Sequence, residues 1–295
     1  MFQFFANIFG YVLNFMNNFV GNYGLAIILF TVLIKIIMLP LSIKQQRTMK
    51  KSTELNEKIK VLQFKYKNDP EKLNREMMDL YKKENMSPFS GCLSTIAQFI
   101  LLISIFYMVR CPLTYMEKIN NDQINTYVQQ LKDGGITVNQ AYSEIDIIRE
   151  LDYLKEKMPE DEGLNKINLN MNFCGLDLSK IPQQNLNDWT VYIIPALYII
   201  STFISMKITT SMQKKSKKND GVIDITEKDE KDSKEEEKNE MEDMMEQSNK
   251  MMSWMMPIMS VSISLVAPLG LALYWLVNNI LMIGERLVLN KIIKD

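Results

Sequence analysis

Residues 24–51 read GLAIILFTVLIKIIMLPLSIKQQRTMKK, and this stretch decides the fold. From residue 24 to residue 42 it is apolar except for Thr31 and Lys35, and a basic cluster follows at once. Nineteen residues at about 1.5 Å each give roughly 28 Å, enough to cross the hydrocarbon core of a bilayer. A lysine inside such a span costs about 2.5–3.5 kcal/mol at its centre, which marks Lys35 as a functional position. Lys35 lies nine residues before Lys44, about 13 Å along a helix and beyond easy reach of a lysine stem. A polar, water-reaching cavity is therefore expected around it, with snorkelling to the basic end as the alternative. Thr31, one turn earlier on the same face, adds a hydroxyl to that cavity.

Outward from this span, composition removes several kinds of chemistry. The 295 residues contain no histidine and only three cysteines, none in a CxxC pair. His-based triads and zinc or iron–sulfur sites are therefore not expected, and no metal or cofactor is. No GxxxxGK[ST] phosphate loop is present either, so nucleotide-driven work is not expected. The net charge of −1 and the mean hydropathy of −0.09 hide very apolar spans separated by very charged loops.

Residues 1–23 are aromatic and apolar on one side, with five asparagines interspersed and no basic residue. That pattern lacks the charged head of a secretory signal and predicts an amphipathic helix lying in the membrane interface. Residues 24–43 form span 1. Residues 44–90 are polar with apolar positions at helical spacing (Leu55, Ile59, Leu62, Tyr66, then Leu73, Met77, Leu80). Asp69 and Pro70 cap the second arm, so the region reads as a cytoplasmic helical hairpin.

Span 2 covers residues 91–109, with Gln98 and Ser104 as its polar points. An acidic, partly helical loop occupies 110–188, and span 3 covers 189–206. Residues 207–250 form a charged low-complexity tract expected to be disordered. Spans 4 (251–267) and 5 (268–288) form a membrane hairpin, and 289–295 is a short tail. The prediction is thus an all-α membrane protein with five transmembrane helices. Residues 44–90 hold twelve Lys/Arg against seven Asp/Glu, and residues 111–188 seven against thirteen. The basic excess puts the hairpin and the C-terminus in the cytoplasm and the acidic loop and N-terminus outside the cell membrane.

Four segments, in order, resemble the YidC-type membrane protein insertases in their five-span form. They are IMLPLSIKQQRTMKK (37–51), DLYKKENMSPFSGCLSTIAQF (79–99), NFCGLDLSKIP (172–182) and APLGLALYWLVNN (267–279). The resemblance implies a membrane insertase and chaperone without enzymatic turnover. It implies a polar groove, open to the cytoplasm and to lipid, that holds the polar part of a nascent membrane protein. Its implied partners are nascent membrane proteins and the lipid bilayer, with the Sec translocon and the ribosome beside them, and no nucleic-acid contact of its own.

The groove residues carried over are Lys35 and Thr31 from span 1, with Tyr274 and Trp275 from span 5. Gln98, Ser205, Asn278 and Glu285 complete the expected polar lining.

Several positions depart from the family pattern. Lys35 stands where arginine is usual, and so loses the bidentate fork. Ser205-Met206 and Glu285 each replace a glutamine, and Ser94 replaces a proline. The inserts at 111–172 and 219–246 are long, and the C-terminal tail is short for ribosome binding. Cys111 and Cys174 fall near the two ends of the outer loop, where oxidising conditions would permit a disulfide between them. The rival function is a small channel or transporter using Lys35 as a ligand. It predicts internal repeats or paired broken spans, and neither is visible in the sequence.

Overall fold

In the computed structural model, residues 2–66, 69–84, 90–219 and 262–292 are described. The chain is helical, with one two-stranded antiparallel ribbon, Asn172–Phe173 paired to Leu176–Asp177. Among the described residues three helical stretches are long and apolar enough to cross a membrane: Tyr23–Thr48, Trp189–Ser211 and Leu269–Leu289. A shorter apolar one, Gln98–Arg110, accompanies them. The protein is an all-α, multi-pass membrane protein. The predicted span 4 falls mostly outside the described residues, with only 262–267 inside them. The predicted disordered tract lies outside them from residue 220 onward.

Helix α1 (Phe2–Val20) buries Ala6, Gly10, Leu13 and Asn17, one stripe at 4-3-4 spacing. Its other face leaves Phe4, Ile8, Tyr11, Phe15 and Phe19 exposed, Phe19 by 83%. A helix apolar on its outer face fits lipid better than water. Three of its four asparagines bond to the region that follows α4. Asn14 Nδ2 donates to the Met116 carbonyl at 3.0 Å, and Asn17 Nδ2 donates to that of Asn168 at 2.9 Å. Lys118 Nζ donates to Asn7 Oδ1 at 3.0 Å. Gly10 rests on the backbone of Tyr115 so closely that a Cβ there would overlap the carbonyl.

Asn22 caps helix α2 (Tyr23–Lys65), accepting from the Leu25 N–H at 3.1 Å. Span 1 and the first hairpin arm, expected as separate segments, are one continuous helix of 43 residues with Pro40 inside it. Helix α3 (Pro70–Lys83) starts with Asp69 accepting from the Lys72 N–H and Pro70 in the first turn, where its missing N–H costs nothing. The arms pack through Leu55 and Ile59 and a Lys58–Glu84 ion pair at 2.5 Å. No α3 side chain is buried.

Helix α4 (Ser90–Arg110) leads into a small cap made of α5 (Pro112–Tyr115), α6 (Asn121–Asp133), α7 (Ser143–Arg149), α8 (Leu151–Lys157), α9 (Glu162–Lys166) and the ribbon. Chain direction follows from ordered contacts. Along α10 (Ile193–Asn219) and α11 (Leu269–Ile292), Tyr198 stacks near Trp275 with ring centroids 6.1 Å apart. Further on, Ser201 and Thr202 meet Asn279, and Thr209 meets Arg286. The two helices are therefore parallel, and the chain leaves α10 at the end opposite to where it enters α11. Gly270 against Tyr23 and Lys35 against Glu285 make α2 parallel to α11 as well.

The cap covers the end where α2 and α11 begin. The Tyr23 N–H donates to Asn170 O at 3.0 Å, and the Leu269 and Gly270 N–H groups donate to Lys180 O and Leu178 O at 2.9 Å each. These N–H groups are first-turn orphans of their helices, so the cap satisfies donors that the helices cannot.

Inside the cap three carboxyls are desolvated. Glu144 is buried and accepts from the Thr114 N–H at 3.0 Å and its hydroxyl at 2.7 Å. Burial nonetheless pushes its carboxyl above the usual range, and burial does the same to Glu117 and Asp146. The possible Cys111–Cys174 disulfide is not present in this fold, where both cysteines are free thiols. Cys174 is exposed in the ribbon's turn with φ of +52°. Cys111 is half-buried beside Glu144, where burial pushes its thiol up to about 12.

For an acid whose folded pKa is raised, the folded state holds its proton more tightly than the unfolded chain. The stability so gained is fully present below the ordinary carboxyl pKa and is lost as pH rises through the folded value. Thermal unfolding of the whole chain in detergent should therefore show a higher Tm at pH 5 than at pH 8. Glu144→Gln should flatten that slope, and a Tm that instead climbs with pH would contradict this account of the cap.

Candidate functional site

The site is built where α2 and α11 face each other away from the cap. Lys35 is twelve residues into α2 from Tyr23, about 18 Å along the axis and inside the stretch that is long and apolar enough to cross a membrane. Glu285 stands near the same depth on α11, and Lys35 Nζ lies 3.3 Å from its Oε2. The two side chains are 20% and 13% exposed, so neither reaches the basic end of α2 by snorkelling. Charges this enclosed persist by pairing, because removing one partner strands the other at about 3–5 kcal/mol. The second oxygen of Glu285, Oε1, is buried with no hydrogen-bond partner among the described residues.

Thr31 sits one turn before Lys35, 2% exposed, but its hydroxyl donates to the Ile27 carbonyl of its own helix at 2.6 Å. That bond leaves it an acceptor only. On α11, Tyr274 is 4% exposed and packs in the core, while Trp275 turns to Tyr198 of α10. Ser205 of α10 is buried and its carbonyl accepts from Thr209. Asn278 is half-buried, and Gln98 is exposed on α4. The structure thus brings Lys35 and Glu285 together, sets Thr31 beside them, and leaves Gln98 facing outward.

The polar residue that sequence reasoning missed is Asn279. It is 6% exposed and donates to Ser201 Oγ at 2.9 Å and Thr202 Oγ1 at 3.1 Å. Its neighbour Asn278 was the residue expected to line the site, and the 100° step between them decides which one faces α10. Arg286 donates to Thr209 Oγ1, one residue after the carboxylate that binds α2. Adjacent residues of α11 therefore hold it to two different helices, Glu285 to α2 and Arg286 to α10. Among the described residues no group of three or more Cys, Asp or Glu is placed to hold a metal.

Hydrogen bonds between membrane helices are worth about 0.6 kcal/mol on average and up to about 1.7. Asn279→Ala, which removes two of them, should cost about 1 kcal/mol in thermal unfolding, and Asn278→Ala measurably less. Equal losses from the two would show that α11 is rotated away from the orientation described.

Comparison with known proteins agrees with this architecture. The family model described as 60Kd inner membrane protein matches residues 15–295. A membrane protein insertase YidC from Chlorobaculum parvum is 28% identical over 284 residues, 96% of this chain and 35% of that protein. A protein of the same name from Francisella tularensis subsp. novicida is 46% identical over 109 residues, 37% of this chain and 20% of that protein. The chain therefore matches about a third or less of the length of these relatives. With the family model covering nearly every residue, including both helices that carry the ion pair, the chain belongs to the 60Kd inner membrane protein family.

Proposed function

We propose that this protein is a membrane protein insertase and chaperone. It receives nascent membrane proteins and lowers the cost of moving their polar segments past the hydrocarbon core. The observation that carries the reading is the Lys35–Glu285 pair, 3.3 Å apart and largely enclosed in a chain of this family. Such a site offers charge and hydrogen-bonding groups at a depth where lipid offers none. Transfer of an apolar helix into lipid is downhill, so the protein has only to shelter the polar part, and no nucleotide is needed.

In this reading α1 lies in the outer interface, the cap closes the outer end, and the α2–α3 hairpin stands in the cytoplasm to receive substrates. Five spans place the N-terminus outside and the C-terminus inside. The groove is lined by Lys35, Thr31, Ser205, Asn278 and Glu285, with Tyr274 and Trp275 shaping its apolar wall and Gln98 at its lipid-facing mouth. The Sec translocon and the ribosome are further partners in this scheme, and the bilayer is the destination.

Insertion of a single-span substrate with an acidic outer tail into liposomes holding only this protein tests the proposal. Lys35→Ala should slow insertion by about an order of magnitude, and Lys35→Arg should keep it within a few-fold. Wild-type liposomes that conduct ions but insert nothing would replace the insertase with a channel.

A further inference from the structure

A groove with a lone cation favours acidic tails and repels basic ones. In this chain the cation is matched one-to-one by Glu285, with Lys35 Nζ 3.3 Å from Oε2. The ammonium has three N–H donors and gives one of them to Glu285. The carboxylate has accepted on one oxygen only. Its Oε1 is buried without a hydrogen-bond partner among the described residues, and an unpaired ionised acceptor in an enclosed site is costly. Arg286, the next residue, donates to Thr209 on α10 and makes no hydrogen bond to Oε1. Thr31 does not supply it either, since its hydroxyl is spent on Ile27. The site therefore presents spare donors and a spare anionic acceptor side by side.

From this we infer that Glu285 is a specificity-determining residue that makes the groove two-signed, so that it accepts tails bearing lysine or arginine as well as acidic ones. The inference rests on the insertase reading and deepens it. A basic tail residue donates to Glu285 Oε1 and shares the carboxylate with Lys35. An acidic tail residue accepts from the two free N–H groups of Lys35. In either case the charge entering the bilayer meets an opposite charge already there. The internal pair also holds the empty site neutral, so a tail of neither sign meets a net repulsive charge. Sharing one carboxylate between two cations is weaker than an exclusive pair, so basic tails are tolerated rather than preferred.

The test uses the full chain in liposomes and three single-span substrates that differ at one outer-tail position, Asp, Ser or Lys. Wild-type protein is expected to insert the Lys tail and the Asp tail within about two-fold of each other. Glu285→Gln, which keeps the shape and removes the charge, is expected to raise the Asp-to-Lys insertion ratio at least five-fold over that of the wild type. A wild type that inserts the Asp tail but handles the Lys tail at less than a fifth of that rate overturns the inference and leaves the insertase reading intact. Equal losses for all three tails in Glu285→Gln also overturn it, because Glu285 would then only hold α2 to α11. A wild type that inserts none of the three ends both readings together. Should Glu285→Gln fail to fold, as judged by its melting curve, the wild-type Asp-to-Lys ratio decides alone.

Discussion

The contact between Lys35 and Glu285 is the interaction on which the rest of the bundle depends. It is the only ion pair among the described residues that lies between two of the membrane-length helices. Two opposite charges at that depth are stable only while each has the other. The pair therefore fixes the rotation of α2 against α11, and with it which faces of both helices look inward. Arg286 and Asn279 extend the same logic to α10, so one face of α11 meets α2 while the next meets α10. Small polar groups do this work because lipid provides no hydrophobic drive between helices.

The cap supplies the complementary constraint. The first turns of α2 and α11 begin with N–H groups that have no helical partner, and carbonyls of residues 170, 178 and 180 accept from them. Those bonds close the capped end of the bundle, and α1 is laced to the same loop by Asn7, Asn14 and Asn17. The cap bonds at the beginning of α2 and α11, and the ion pair further along both helices, make the two ends of the bundle unlike.

Much of this was legible in the sequence. Three apolar windows, the Asp69-Pro70 cap and the solitary Lys35 all announce themselves by spacing alone, and four short segments are enough for the family resemblance. What was hidden depended on helix rotation and on distant partners. Asn278 and Asn279 are equivalent in sequence, and only the position of Ser201 and Thr202 separates them. The asparagines of α1 read as polar interruptions of an apolar helix, whereas in the fold they are its ties to the cap. Whether Cys111 and Cys174 pair was equally hidden, because a position near the two ends of a loop does not fix the distance between two thiols. Continuity of α2 was obscured because hydropathy separates the apolar span from the basic arm, although one helix runs through both and through Pro40, a residue that membrane helices tolerate when neighbouring groups compensate.

The most direct test of the account is which side of the membrane reaches the charged pair. The measurement is labelling of a single cysteine at position 278, in a chain whose three native cysteines are replaced by serine. A membrane-impermeant maleimide is added to either face of oriented proteoliposomes. The account predicts labelling from the face that carries the α2–α3 hairpin and none from the face that carries the cap. Labelling from the cap side, or from neither side, would contradict a groove that is closed by the cap and open at the other end.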